Sequence, residues 1–295
     1  MISASHRRPL ALPALLSLLI LTGCTASKPA AGPAMSTEQA TSTEEAMGHV
    51  HALAVQDDRI IIATHAGPYE LPADGGDVTG PIGGASFDAM GFTIDNGILY
   101  GSGHPDAGSP AQFGSPNLGL ISSTDQGQSW TTVSLGGETD FHDLTASGGV
   151  IYGVDSASGT IKRSDDNGAN WIDGATLDVR DLEIDPDDPM RVSATTADGL
   201  AVSTDGGLSF AVDDTAPKAF FLTTGPDRTR YTVDVARTLW ASTPTGWVAG
   251  GTVTGTPAAL AVDGERLIVA DDAGIRATTD LGATWEVLWQ PVAAE

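Results

Sequence analysis

Four segments of the chain repeat one pattern, and that pattern restricts the possible folds more than any other feature. Residues 123–130 read STDQGQSW, 164–171 SDDNGANW, 203–210 STDGGLSF and 278–285 TTDLGATW. Each has a hydroxyl residue, an Asp two places on, a Gly two places after that, and an aromatic three further along. This suits a tight turn joining two β-strands. The carboxylate can accept backbone N–H bonds across the turn, the Gly can take a positive φ, and the aromatic can open the next strand and pack between sheets. The four Asp residues, Asp125, Asp166, Asp205 and Asp280, are separated by 41, 39 and 75 residues, so the last interval holds two repeats. The missing member is STPTGW (242–247), which keeps Ser242 and Gly246 but carries Pro244 where the Asp belongs. A degenerate first copy stands at Asp74-Gly75-Gly76. Six units result, each of a length that fits one four-stranded sheet.

Strand-like runs recur in step with the turns: RIIIAT, GILYGSG, GVIYGVD, RVSATT, RYTVDV and RLIVADD each form the second strand of a unit. The expected fold is therefore all-β, a six-bladed β-propeller. The first interval between turns is longer than the rest, and its excess falls in a Gly-, Pro- and Ser-rich stretch at 101–120. The turn motif resembles the Asp-box of the BNR-repeat propellers. That resemblance implies that the turns are structural and lie away from the binding face.

The segment before the repeats is of another kind. Arg7 and Arg8 precede a mostly apolar run, Leu10–Leu21, too short for a membrane span. It ends in Leu21-Thr22-Gly23-Cys24, which resembles a bacterial lipobox and contains the only cysteine of the chain. Residues 1–23 read as a lipoprotein signal peptide. Residues 24–47, rich in Ala, Ser, Thr, Pro and Glu, read as a lipidated Cys24 followed by a disordered tether. The propeller then occupies 48–295. The expected location is the extracytoplasmic side of a bacterial membrane, with acyl chains on Cys24 as the anchor. A net charge of −24 excludes nucleic acid as a partner, since a phosphate backbone needs a basic surface.

Histidine is scarce, and apart from His6 all of it lies between residues 49 and 142: His49, His51, His65, His104 and His142. Each unit opens with a strand carrying an apolar residue for the core, read here as Leu53, Met90, Leu144, Leu182, Leu222 and Leu260. Two residues earlier, on the same side of the strand, stand His51, Asp88, His142, Arg180, Phe220 and Ala258. The second strand returns to the same face, ending in His65, His104 and Asp155 in the first three units. One face over units 1 to 3 should therefore gather His49, His51, His65, Asp88, His104 and His142, with Asp155 and Arg180 beside them. A single histidine at a wet channel mouth can be merely solvated; the convergence of five points to a site. Glu138 and Asp140 are candidate rim acids.

Three functions fit this face. His51, Asp88 and His142 form a donor set suited to a divalent transition metal, Zn or Cu, and a nearby Met90 would favour Cu. The chain also resembles a bacterial family of exported Asp-box lipoproteins grouped with the glycosyl hydrolases. HVHALAV, ATHAG, DAMGF, GSGHP, NLGLISSTDQG and DFHDL carry the likeness. It implies a sialidase-like fold and a hydrolase whose candidate carboxylates are Asp88 and Asp155. The F/Y-R-I-P motif and arginine triad of sialidases are not found, and Tyr69, Tyr100, Tyr152 and Tyr231 fall in strands. Asp-box propellers also resemble photosystem assembly factors and sortilin-type receptors, which implies a protein-binding scaffold. The ligand is thus a small molecule, a glycan or a protein.

Overall fold

The computed structural model describes residues 47–291. The expected signal peptide, Cys24 and nearly all of the expected tether lie outside the described residues. The described chain is a six-bladed β-propeller with almost no helix. Each of its six antiparallel sheets is formed by consecutive strands. Five have four strands; the first has three, Val50–Gln56, Arg59–Thr64 and Gly67–Pro72. A single antiparallel bridge between Glu70 and Thr79 stands where the first blade would have a fourth strand.

The innermost strands are Val50–Gln56, Phe87–Asp95, Phe141–Ser147, Val179–Asp185, Ala219–Thr224 and Pro257–Asp263. Each lies against the next around a ring, and the sixth closes on the first. Six apolar clusters hold the ring, one at each junction of two blades. The closing junction buries Leu53, Ile60 and Leu71 of blade 1 against Ile268, Ile275 and Leu288 of blade 6. Met47, grouped by composition with the tether, is 2% exposed in this same cluster.

The repeated turns form one constellation four times over. In the turn at Ser123, the hydroxyl donates to Asp125 Oδ1 at 2.8 Å and accepts the Gly127 N–H at 2.8 Å. Asp125 also accepts from the backbone and side chain of Ser129. The same bonds join Ser164, Asp166, Gly168 and Asn170; Ser203, Asp205, Gly207 and Ser209; and Thr278, Asp280, Gly282 and Thr284. Bonds from side chain and backbone at the fourth residue after each Asp hold Asp125, Asp205 and Asp280 ionised, with pKa values lowered to about 2. In blade 5, where Pro244 replaces the Asp, Ser242 instead accepts the N–H of Arg230.

The aromatic that ends each turn packs onto the preceding blade. Only Trp130 is fully buried, at 5% exposure. Trp171, Phe210 and Trp285 are half-buried at the rim of their clusters, less enclosed than an interior position requires. Trp171 donates its indole N–H to Ser134 of blade 2 at 2.9 Å and stacks 4.8 Å from Phe141.

Candidate metal centre at the channel mouth

Every innermost strand carries a β-bulge at the same place. The register of pairing with the second strand skips one residue in each blade: His51, Met90, His142, Arg180, Phe220 and Ala258. A bulge leaves its extra residue out of the ladder and re-aims the side chain. Here six such residues ring one end of the channel, opposite the end that carries the repeated turns.

This register revises blade 2. Phe92, 4% exposed, is the counterpart of Leu53, Leu144, Leu182, Leu222 and Leu260 in the core, and all six are buried. Met90 holds the bulge position, in line with His51 and His142. Asp88 lies two residues further out and matches His49 and Asp140. On the second strand, His65 and His104 correspond to Ser156: the Ser156 N–H bonds the Asp140 carbonyl as the His65 N–H bonds that of His49. Asp155 is one residue short of that position. Its carboxylate accepts from the Ala157 N–H and the Ser158 hydroxyl at 3.3 and 2.7 Å, closing its own turn. Asp234 and Asp271 hold the matching turns in blades 5 and 6. Asp155 is thus engaged as a turn residue.

Two clusters form at the mouth, each of two histidines and one aspartate. In the first, His51 Nε2 is 3.2 Å from His65 Nδ1, and Asp88 Oδ1 lies 2.8 Å from His65 Nδ1 and 3.4 Å from His51 Nε2. In the second, Asp140 Oδ2 lies 2.8 Å from His142 Nε2 and 3.2 Å from His104 Nε2. His51 and Asp88 therefore meet, whereas His142 belongs with His104 and Asp140. The clusters touch: Asp88 Oδ2 is 3.6 Å from His104 Nδ1. His49 stays outside both, its ring 5.3 Å from that of His65. Arg180 turns toward blade 5, its guanidinium 4.5 and 4.9 Å from the Phe220 and Phe221 ring centres.

The electrostatics favour anionic carboxylates. Burial raises the pKa of Asp88, but hydrogen bonds and charge from His51 and His65 outweigh it and the net shift is downward. Asp140 is also lowered: burial opposes ionisation, and bonds from His142 and Ser156 with the charges of His142 and His104 overcome it. The Asp140 hydrogen bond raises His142 above the usual imidazole range, against its own desolvation.

The donor geometry fits an ion. A tetrahedral site with metal–ligand bonds of 2.0–2.1 Å has ligand atoms about 3.3 Å apart; three of the five separations within the clusters, 3.2, 3.4 and 3.2 Å, fall near that value, and the two shortest His–Asp contacts, 2.8 Å each, are of hydrogen-bond length. Two-histidine, one-carboxylate sets with open positions also hold other first-row metals. Asp140 gives a second sign. It is 6% exposed, and its Oδ1 is buried with no hydrogen-bond partner. Asp140 and Ser156, which donates to Asp140 Oδ2 at 2.6 Å, are the residues that sequence reasoning underrated. The signal was present: Asp140 stands two residues before His142, immediately ahead of the strand that begins at Phe141.

Two spaces adjoin the clusters. The central channel, about 240 Å³, is lined by His51, Leu53, Phe92, Asp143, Asp181 and Glu183 among others. An open groove of about 400 Å³ runs from His142 past Ser156 and Ser158 to Asp178.

No protein-family model matches the chain, and no curated protein matches it by sequence. Solved structures match its fold. YCF48 bound to D1 peptide is 17% identical with a TM-score of 0.52, covering 82% of this chain and 81% of that one. A nidogen/laminin complex is 14% identical with a TM-score of 0.58, covering 76% and 89%. The extracellular domain of the hybrid two-component system BT4673 of B. thetaiotaomicron is 14% identical with a TM-score of 0.53, covering 82% of this chain and 33% of that one. At these identities the likeness establishes the propeller fold and leaves function to the site.

Proposed function

We propose that this propeller binds a first-row divalent metal ion, Zn²⁺ or Cu²⁺, at its histidine-rich mouth and presents it to a small ligand. The observation that carries the reading is the pair of His₂Asp clusters, one holding a buried carboxylate oxygen with no partner. Met90 holds the bulge position in line with His51 and His142, and a thioether joining either cluster would favour copper. The groove beside His142 gives a ligand room to reach an open coordination position. In this reading the chain is an exported Asp-box lipoprotein, anchored through Cys24 so that the site faces the outside of the cell. A glycoside hydrolase reading draws no support from Asp155, whose carboxylate serves its own turn.

The test is elemental analysis of protein purified without a histidine tag, followed by titration of the metal-free protein with Zn²⁺ and Cu²⁺. Wild type should take up metal. The His51→Ala/His142→Ala double variant should lose most uptake and keep its circular dichroism, because His142 is exposed and neither side chain belongs to an apolar cluster. Folded wild-type protein that binds neither ion at micromolar concentration overturns the proposal.

A further inference from the structure

The mouth has the makings of a two-ion centre. Sharing among the six donors is confined to one contact, the approach of Asp88 to His104. Asp88 Oδ1 faces His51 and His65, and its Oδ2 faces His104 Nδ1 at 3.6 Å. The other ring nitrogen of His104, Nε2, faces Asp140. A metal-bound histidine ordinarily gives its second N–H to a carboxylate, which fixes the ring and strengthens the ligand. In this chain the carboxylate placed to receive that N–H is the one facing the first cluster. At 3.6 Å the pair stands just beyond hydrogen-bond length.

We infer that the two clusters hold two ions as one coupled centre, with Asp88 ligating the first and orienting His104, a ligand of the second. This rests on the metal-binding reading above. The coupling has a definite sign. An ion on Asp88 Oδ1 withdraws charge from the carboxylate, weakens its hold on the His104 N–H, and repels a second cation through a partly desolvated mouth. The second ion therefore binds more weakly than the first. The site accordingly has two steps of occupancy, and the weaker one is the step that exchanges with metal outside the cell.

Titration calorimetry with Zn²⁺, checked by elemental analysis, tests this on the folded propeller with its tether. Wild type should bind two ions per chain in two resolved steps. The His51→Ala/His65→Ala variant should bind one, through His104, Asp140 and His142; His142→Ala should bind one, through His51, His65 and Asp88. A stoichiometry of one in wild type overturns the paired centre and leaves metal binding standing, whereas zero with Zn²⁺ and with Cu²⁺ alike overturns both. The coupling is read separately. In the His51→Ala/His65→Ala background, adding Asp88→Ala should weaken the remaining site by about 10–100-fold, the usual effect of losing such an orienting carboxylate. Asp88→Asn in the same background, which keeps an acceptor oxygen for the His104 N–H but not the charge, is measured beside it and should weaken the site by less than Asp88→Ala. If both variants stay folded and bind within threefold of the parent, Asp88 does not couple the sites and the proposal fails.

Discussion

Asp143→Asn should flatten the pH dependence of stability. Three carboxylates line the central channel on two adjacent blades: Asp143 on blade 3, and Asp181 and Glu183 on blade 4. Each innermost strand is the edge of its own sheet and pairs only with the second strand of its blade, so its channel-side N–H groups lack a ladder partner. Asp143 accepts the N–H of Leu182, and Asp181 that of Leu222 at 2.7 Å, each reaching across to the next blade. Burial pushes Asp143 up to about 7 and Glu183 up to about 8, and burial together with the charge of Asp143 raises Asp181 well above the usual range. A folded-state pKa above the unfolded value means that the folded protein binds the extra proton. The resulting stabilisation is complete below about pH 4 and is lost as pH rises through 7 and 8. A shift of about three units for Asp143 would amount to about 4 kcal/mol. Water in the open channel and titration shared among the three acids reduce this to about 2 kcal/mol for one residue. Asn keeps an oxygen for the Leu182 N–H and has no proton to lose. Urea unfolding between pH 5 and 8.5 should show the variant gaining about 2 kcal/mol on wild type across that range. Parallel stability curves would mean that Asp143 is ionised throughout at no cost, and the reasoning would be refuted.

Other expectations follow from the same packing. Trp130→Ala should destabilise the propeller by about 3–5 kcal/mol, and Trp171→Ala, from a half-buried ring, by about half as much, both measured by chemical denaturation. Gly168→Ala should cost about 2–3 kcal/mol, because φ is +85° there and a Cβ would meet Leu120 Cδ2 at 2.0 Å; a melting temperature equal to wild type would contradict the turn geometry. Asp155→Ala should loosen its own turn and leave metal stoichiometry unchanged, and a loss of bound metal would return Asp155 to the site. Cys24→Ser should leave the melting curve of the propeller unchanged and release the protein from the membrane fraction, with mass analysis of the mature N-terminus showing no acyl chain.

The blade count was legible because the turn motif recurs at a nearly fixed interval: the degenerate copy at Pro244 still falls in phase, and that at Asp74 is set off only by the extra length of the 101–120 stretch. The site was legible only as far as strand parity allowed. Side chains alternate across a strand with a period of two, so a register error of two residues keeps a side chain on its face and an error of one reverses it. In FDAMGF the sequence offers Met90 and Phe92 two places apart, both apolar and both facing alike. Taking Met90 for the core shifts blade 2 by two residues and still leaves Asp88 at the mouth, where the structure has it beside His51 and His65. Matching Asp155 to His65 and His104 was an error of one, and the structure gives that place to Ser156 while Asp155 folds into its turn. The bulge is the physical source of the ambiguity. It adds one unpaired residue to each innermost strand, so distances counted from the core along the first and second strands differ by one. Asp140 was underrated for the same reason. It precedes the strand that begins at Phe141, where parity gives no firm guide, yet it stands two residues before His142 and shares its cluster.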